Sequence, residues 1–77
     1  QMVISEIELN NRKILKISLE NVNGINFGQI RIYIRTNTYD ILIPSVKGFG
    51  FDLKYLNEII KALITLKAMN HTVTYKA

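Results

Sequence analysis

Gln29-Ile30-Arg31-Ile32-Tyr33-Ile34-Arg35 is the stretch that decides the fold of this 77-residue chain. Side chains of a β-strand alternate between two faces, so Ile30, Ile32 and Ile34 point one way and Gln29, Arg31, Tyr33 and Arg35 the other. A helix would scatter both sets around its circumference. One apolar and one polar face is the signature of an antiparallel sheet covered on one side only.

Working outward toward the N-terminus, Lys13 to Glu20 alternates in the same way. Leu15, Ile17 and Leu19 share one face, and Lys16, Ser18 and Glu20 the other. Met2 to Leu9 alternates more loosely and is β-prone. Asn10-Asn11 and Asn21-Val22-Asn23-Gly24 supply turn residues between these runs, with Gly24 free to take positive φ. Toward the C-terminus, Thr36 to Asp40 reads as a polar turn and Ile41-Leu42-Ile43 as a short strand. Pro44 marks that strand's end or an edge position, and Ser45 to Gly50 reads as a loop. Asp52 is a good N-cap. Beyond it Leu56, Ile59, Ile60, Leu63, Ile64 and Leu66 recur at helical spacing, in a stripe roughly 160° wide.

The expected architecture is α+β: a four-stranded curved antiparallel sheet followed by one C-terminal helix, in a single domain over 1–77. Strands are expected near 2–9, 13–20, 27–36 and 40–44, a helix near 53–68, and a tail at 69–77. The helix is expected to cover the face carrying Ile30, Ile32 and Ile34.

A chain this short buries only about 60% of the surface its unfolded form exposes. Small folds usually gain support from disulfides, a metal or oligomerisation. There is no Cys and a single His, His71, so neither disulfide nor metal is available and no cofactor motif is present. Oligomerisation remains, and the wide helical stripe predicts a homodimer joined through Leu63, Ile64 and Leu66. No apolar run is long enough to span a bilayer and no secretory signal is visible, so no membrane partner is expected. A cytoplasmic location follows as an expectation, at the nucleoid if the source is bacterial. Gln1 would lie outside the natural chain if Met2, which follows it, is the initiator.

Catalysis has little to work with. His71 falls in the expected tail, and Glu6, Glu8, Glu20, Asp40, Asp52 and Glu58 are scattered. Nucleophile, base and orienting group are not brought together, so no enzyme is expected. Gly48-Phe49-Gly50 lacks the third glycine and following parallel strand of a dinucleotide site. Gly50 is instead expected to let Phe49 and Phe51 tuck under the sheet.

The net charge is +4, a mild basic bias that suits either a polyanionic partner or an ordinary solvated surface. The informative cluster is Arg31, Tyr33 and Arg35 on one strand face, with Lys16 on a neighbour. Cationic side chains neutralise phosphates, and a ring among them offers an unstacked base a platform. The competing reading is a solvated face covered by a tyrosine.

The chain also resembles the positive cofactor four family of transcriptional coactivators from about Glu6 to Leu66. Leu15-Lys16-Ile17-Ser18-Leu19 is similar to the family's second strand, and Gly24 falls at its turn glycine. Ile30-Arg31-Ile32-Tyr33 resembles its Ile-Arg-x-Trp element, with Tyr for Trp. Pro44-Ser45-Val46-Lys47-Gly48-Phe49-Gly50-Phe51 resembles its Pro-Thr-x-Lys-Gly-apolar-x-apolar signature, and Leu53 to Leu63 follows the helix pattern. The resemblance implies a protomer that dimerises through its helices and binds single-stranded DNA; RNA stays open as the ligand, and a role in transcription, replication or repair is expected. It implies Arg31 and Lys47 as phosphate contacts, Tyr33 as a stacking ring and Lys16 in a backbone role; Arg35 completes the candidate set. Two alternatives remain open: a protein-interaction module using the helix stripe, and a purine-rich-element-binding domain of the same topology.

Overall fold

A computed structural model describes residues 1–70. Four antiparallel strands lie in chain order: β1 Met2–Glu8, β2 Lys13–Val22, β3 Ile25–Arg35 and β4 Leu42–Asp52. A 3-10 turn, Leu53–Tyr55, leads into helix α1, Leu56–Met69. The expected α+β order of four strands and one helix is therefore observed. Of the tail expected at 69–77, Met69 is instead the last residue of α1, and the part beyond Asn70, with His71, lies outside the described residues.

Local chemistry explains each reversal. The Asn10 side chain accepts from the backbone N–H of Arg12 and Lys13 at 2.8 and 2.9 Å, closing the β1–β2 turn as an Asx motif. Asn23 and Gly24 both adopt positive φ, 53° and 83°, the signature of a two-residue primed hairpin turn. That tight turn lets pairing continue to Val22 and Ile25, so β2 ends later and β3 begins earlier than expected. Asp52 caps the 3-10 turn, accepting from the Lys54 N–H at 2.9 Å.

The largest departure concerns β4. Ser45 to Gly50, expected as a loop, belongs to an eleven-residue strand. Pro44 and two glycines look like breakers, but β4 is an edge strand and tolerates them. Pro44 lies opposite Tyr33, and the ladder shifts register between there and Gly48, which faces Arg31. A β-bulge at Ser45–Lys47 absorbs the extra residues. The link from sheet to helix is thereby reduced to the three residues Leu53–Tyr55.

This short link changes where the helix goes. It does not cover Ile30, Ile32 and Ile34 as expected. Its approach to the sheet is at its start, where Leu53 and Leu56 join Ile4, Ile17, Leu19, Gly28 and Phe51 around an apolar groove of about 350 Å³. Farther along, Ile60, Leu63, Ile64 and Leu66 are 44 to 64% exposed. A three-residue connection leaves the chain no slack to double back over the middle of the sheet. Gly28 lies directly beneath the Phe51 ring, where a Cβ would collide with it. The glycine that seats Phe51 is thus Gly28, while Gly50 lies beneath Phe27 and Phe49 remains 55% exposed.

Burial is also distributed differently from expectation. Ile14 is the only buried hydrophobic side chain among the described residues, and Ser18 the only buried polar one. Both lie on β2 in register with Tyr33 and Gln29 of β3, which places them on the basic face. Irregularities in both edge strands, at Val3–Ser5 of β1 and opposite Arg31–Tyr33 in β4, increase local twist and bend. The basic face is accordingly the more enclosed one. The isoleucine face is half-buried.

Candidate nucleic-acid interface

Unbroken pairing of β2 with β3 sets the site. Lys16 lies directly opposite Arg31, Ile14 opposite Tyr33, and Ser18 opposite Gln29. Period-two alternation then places Lys16, Arg31, Tyr33 and Arg35 on one face. Two cations directly opposite each other are unfavourable unless neighbours offset their charge, and each has such a neighbour. The Lys16 ammonium is 3.6 Å from the Glu6 carboxylate and 4.4 Å from the centre of the Tyr33 ring. The Lys16 side chain is 15% exposed, its stem covered and its charge held by carboxylate and ring. Arg31 donates from Nη1 to the Ser45 carbonyl at 2.8 Å.

Ser45 organises the bulge around that contact. Its hydroxyl donates to the Ile32 carbonyl at 2.7 Å and accepts from the Lys47 N–H at 3.1 Å. Arg31 and Lys47 are therefore tied to one residue, Arg31 through its side chain and Lys47 through its backbone. Gly48 closes the arrangement at φ 154°; a Cβ there would lie 2.5 Å from the Ile30 carbonyl oxygen and 2.6 Å from the Arg31 Cα. Lys47 occupies a strand bulge rather than the loop expected for it.

Arg35 ends β3 and is bound to the adjoining turn, donating to Asp40 at 2.9 Å. Asp40 itself adopts φ 54°. The Tyr33 hydroxyl accepts from the Gln1 side chain at 3.2 Å. Tyr33 is thus a half-buried ring with one face occupied by an ammonium. No group of three or more His, Asp or Glu that could hold a metal occurs among the described residues. None of their helices is long and apolar enough to cross a membrane.

Neither protein-family models nor curated proteins match the chain. Solved structures do. A PC4 homolog from Burkholderia pseudomallei matches in two crystal forms, with TM-scores of 0.76 and 0.77 at 15% identity. The match covers 84% of this chain and 86 or 94% of the other. A bacteriophage T5 homolog of the eukaryotic transcription coactivator PC4, implicated in recombination-dependent DNA replication, matches with a TM-score of 0.71 at 17% identity. That match covers 87% of this chain and 80% of the phage chain.

The chain has the PC4 fold. PC4 abbreviates positive cofactor four, so the structural match and the sequence resemblance point to one fold by separate routes.

Within this PC4 fold, three residues around the basic face gain roles that residue type alone did not reveal. Glu6 and Asp40 are counter-ions, and Ser45 is the pivot of the bulge. Phe27 lies on the same face as Arg31 and Tyr33, over Gly50, at roughly 20 Å from Tyr33 along the strand. Alternation back from Tyr33 would have placed Phe27 there. The acids and Ser45 had no comparable signal, because their contacts depend on register and on the bulge.

Proposed function

We propose that this protein is a PC4-family, single-strand nucleic-acid-binding homodimer, acting in transcription, replication or repair rather than in catalysis. The observation that carries the reading is the enclosed face on which Lys16 and Arg31 flank the Tyr33 ring, in a fold shared with PC4 homologs. Cations there neutralise the phosphate backbone, and the rings Tyr33 and Phe27 receive bases that a duplex keeps stacked within itself. Lys16, Arg31, Arg35 and Lys47 are the proposed backbone contacts and Tyr33 the stacking contact. Single-stranded DNA is the leading ligand and RNA the variant of it. The cytoplasm, or the nucleoid of a bacterial cell, is the proposed location.

The dimer is part of the proposal. The isoleucine face and the apolar helix stripe are both left open in one protomer, more apolar surface than a stable monomer usually exposes. A two-fold partner that brings its own helix and sheet would cover both.

A salt titration of binding to a fluorescent oligonucleotide tests the reading. The wild type should lose affinity steeply as salt rises. Lys47→Ala should weaken binding and reduce the log-log slope by about 0.7, the value for one lost phosphate contact on a single strand. Its melting temperature should not change, since the Lys47 side chain is exposed. No binding at low salt would remove the proposal and favour a protein-interaction module.

A further inference from the structure

Glu6 lies on β1 directly opposite Lys16, on the basic face, yet it carries the charge that a nucleic acid should avoid. Its carboxylate holds the Lys16 ammonium at 3.6 Å, and that ammonium covers one face of the Tyr33 ring at 4.4 Å. While this contact persists, Lys16 is neutralised and that ring face cannot accept a base. Of the groups a nucleic acid offers, the phosphate is the one that can replace a carboxylate on an ammonium with the same charge complementarity.

We propose that Glu6 is an intramolecular stand-in for phosphate: it parks Lys16 over Tyr33 and is displaced when a single strand binds. The inference rests on the binding function proposed above and adds a regulatory element to that site. Exchange of Glu6 for a phosphate frees Lys16 for the backbone and uncovers Tyr33 for a base in one movement. Charge neutralisation and stacking are thereby coupled. A ligand that offers phosphates without an unstacked base gains the first and not the second, so Glu6 raises the threshold against weak polyanions. Glu6 acts through Lys16 and is a positioning residue.

Glu6→Gln tests this with a fluorescein-labelled oligothymidylate. Removing the competing carboxylate should tighten binding about 3- to 10-fold at low salt and steepen the salt slope by up to about 0.7, because Lys16 joins the phosphate contacts without first leaving an ion pair. In a Lys16→Gln background the same substitution should change affinity by less than about 2-fold. Glu8→Gln removes an equal charge from the same face, opposite Ile14, and should also stay within about 2-fold. Without nucleic acid, the Lys16 Hε protons should lose part of their ring-current shift in Glu6→Gln. The inference is overturned if Glu6→Gln leaves affinity and slope unchanged while the wild type binds, if Glu8→Gln tightens binding equally, or if the effect survives loss of Lys16. A wild type that binds no oligonucleotide overturns the binding function as well, so the two failures are distinguishable.

Discussion

Gly48→Ala should cost about 2–4 kcal/mol of stability, the largest loss expected from a single methyl group in this chain. Gly48 combines positive φ with close backbone approach: a Cβ would meet the Ile30 carbonyl and the Arg31 Cα. Neither neighbour can move away as a flexible side chain could, because both belong to the central strand β3. Gly24 is the control. It has φ 83° but nothing within 4 Å of a Cβ, so Gly24→Ala should cost only the conformational penalty of about 1–2 kcal/mol. Urea denaturation of both variants decides the matter. Equal losses would mean that β4 does not pack against Arg31 as described, and that the Ser45 bulge does not hold Lys47 beside it.

A second large effect is expected on the helix. Leu63 and Ile64 are 56 and 62% exposed in the protomer. If the protomer were the functional unit, replacing them by Gln, a good helix former, would change stability by no more than about 0.5 kcal/mol. In the proposed dimer they are interface residues. The Leu63→Gln, Ile64→Gln double variant should then halve the mass seen by light scattering at micromolar concentration. The wild-type melting temperature should rise with protein concentration, as expected of a coupled dimer, while that of the variant should not. A wild type that is monomeric at that concentration contradicts the dimer.

The Gly48 prediction arises where the structure goes beyond the sequence pattern, whereas the helix prediction follows from the apolar stripe itself. Ile30, Ile32 and Ile34 were legible as one strand face because alternation is a local property. Asp52 was legible as a cap because capping depends on a side chain and an amide two residues away. The course of β4 was not legible: Pro44, Gly48 and Gly50 break most strands and are admitted here only because β4 lies at an edge and bulges. The path of the helix was misjudged for the same reason, since converting 45–50 from loop to strand leaves three residues of link.

The candidate site divides along the same line. Arg31, Tyr33 and Arg35 share a face by alternation alone, and Lys16 joins them through one hairpin. Their partners depend on pairing geometry. Glu6 meets Lys16 through the β1–β2 hairpin register, which runs unbroken from Glu8–Ile14 to Ser5–Ile17, and Ser45 meets Arg31 only through the bulge. Those contacts alter what substitutions report. Arg31 braces β4 through the Ser45 carbonyl, so Arg31→Ala would perturb the fold together with the charge. Lys47 and Tyr33 are cleaner probes of charge and stacking.

The most direct test of the central claim compares Tyr33→Ala with the wild type on one oligonucleotide, single-stranded and annealed to its complement, at several salt concentrations. Tyr33 is the ring that sits among the cations of the basic face, where it distinguishes an unstacked base from a phosphate backbone. Its loss should weaken single-strand binding by about 1–3 kcal/mol, leave duplex binding nearly unchanged and keep the salt slope within error of the wild type. The preference for single strands should therefore collapse while the electrostatic component survives. Equal weakening on single strand and duplex, or a Tyr33→Ala variant that binds single strands as tightly as the wild type, would contradict the account.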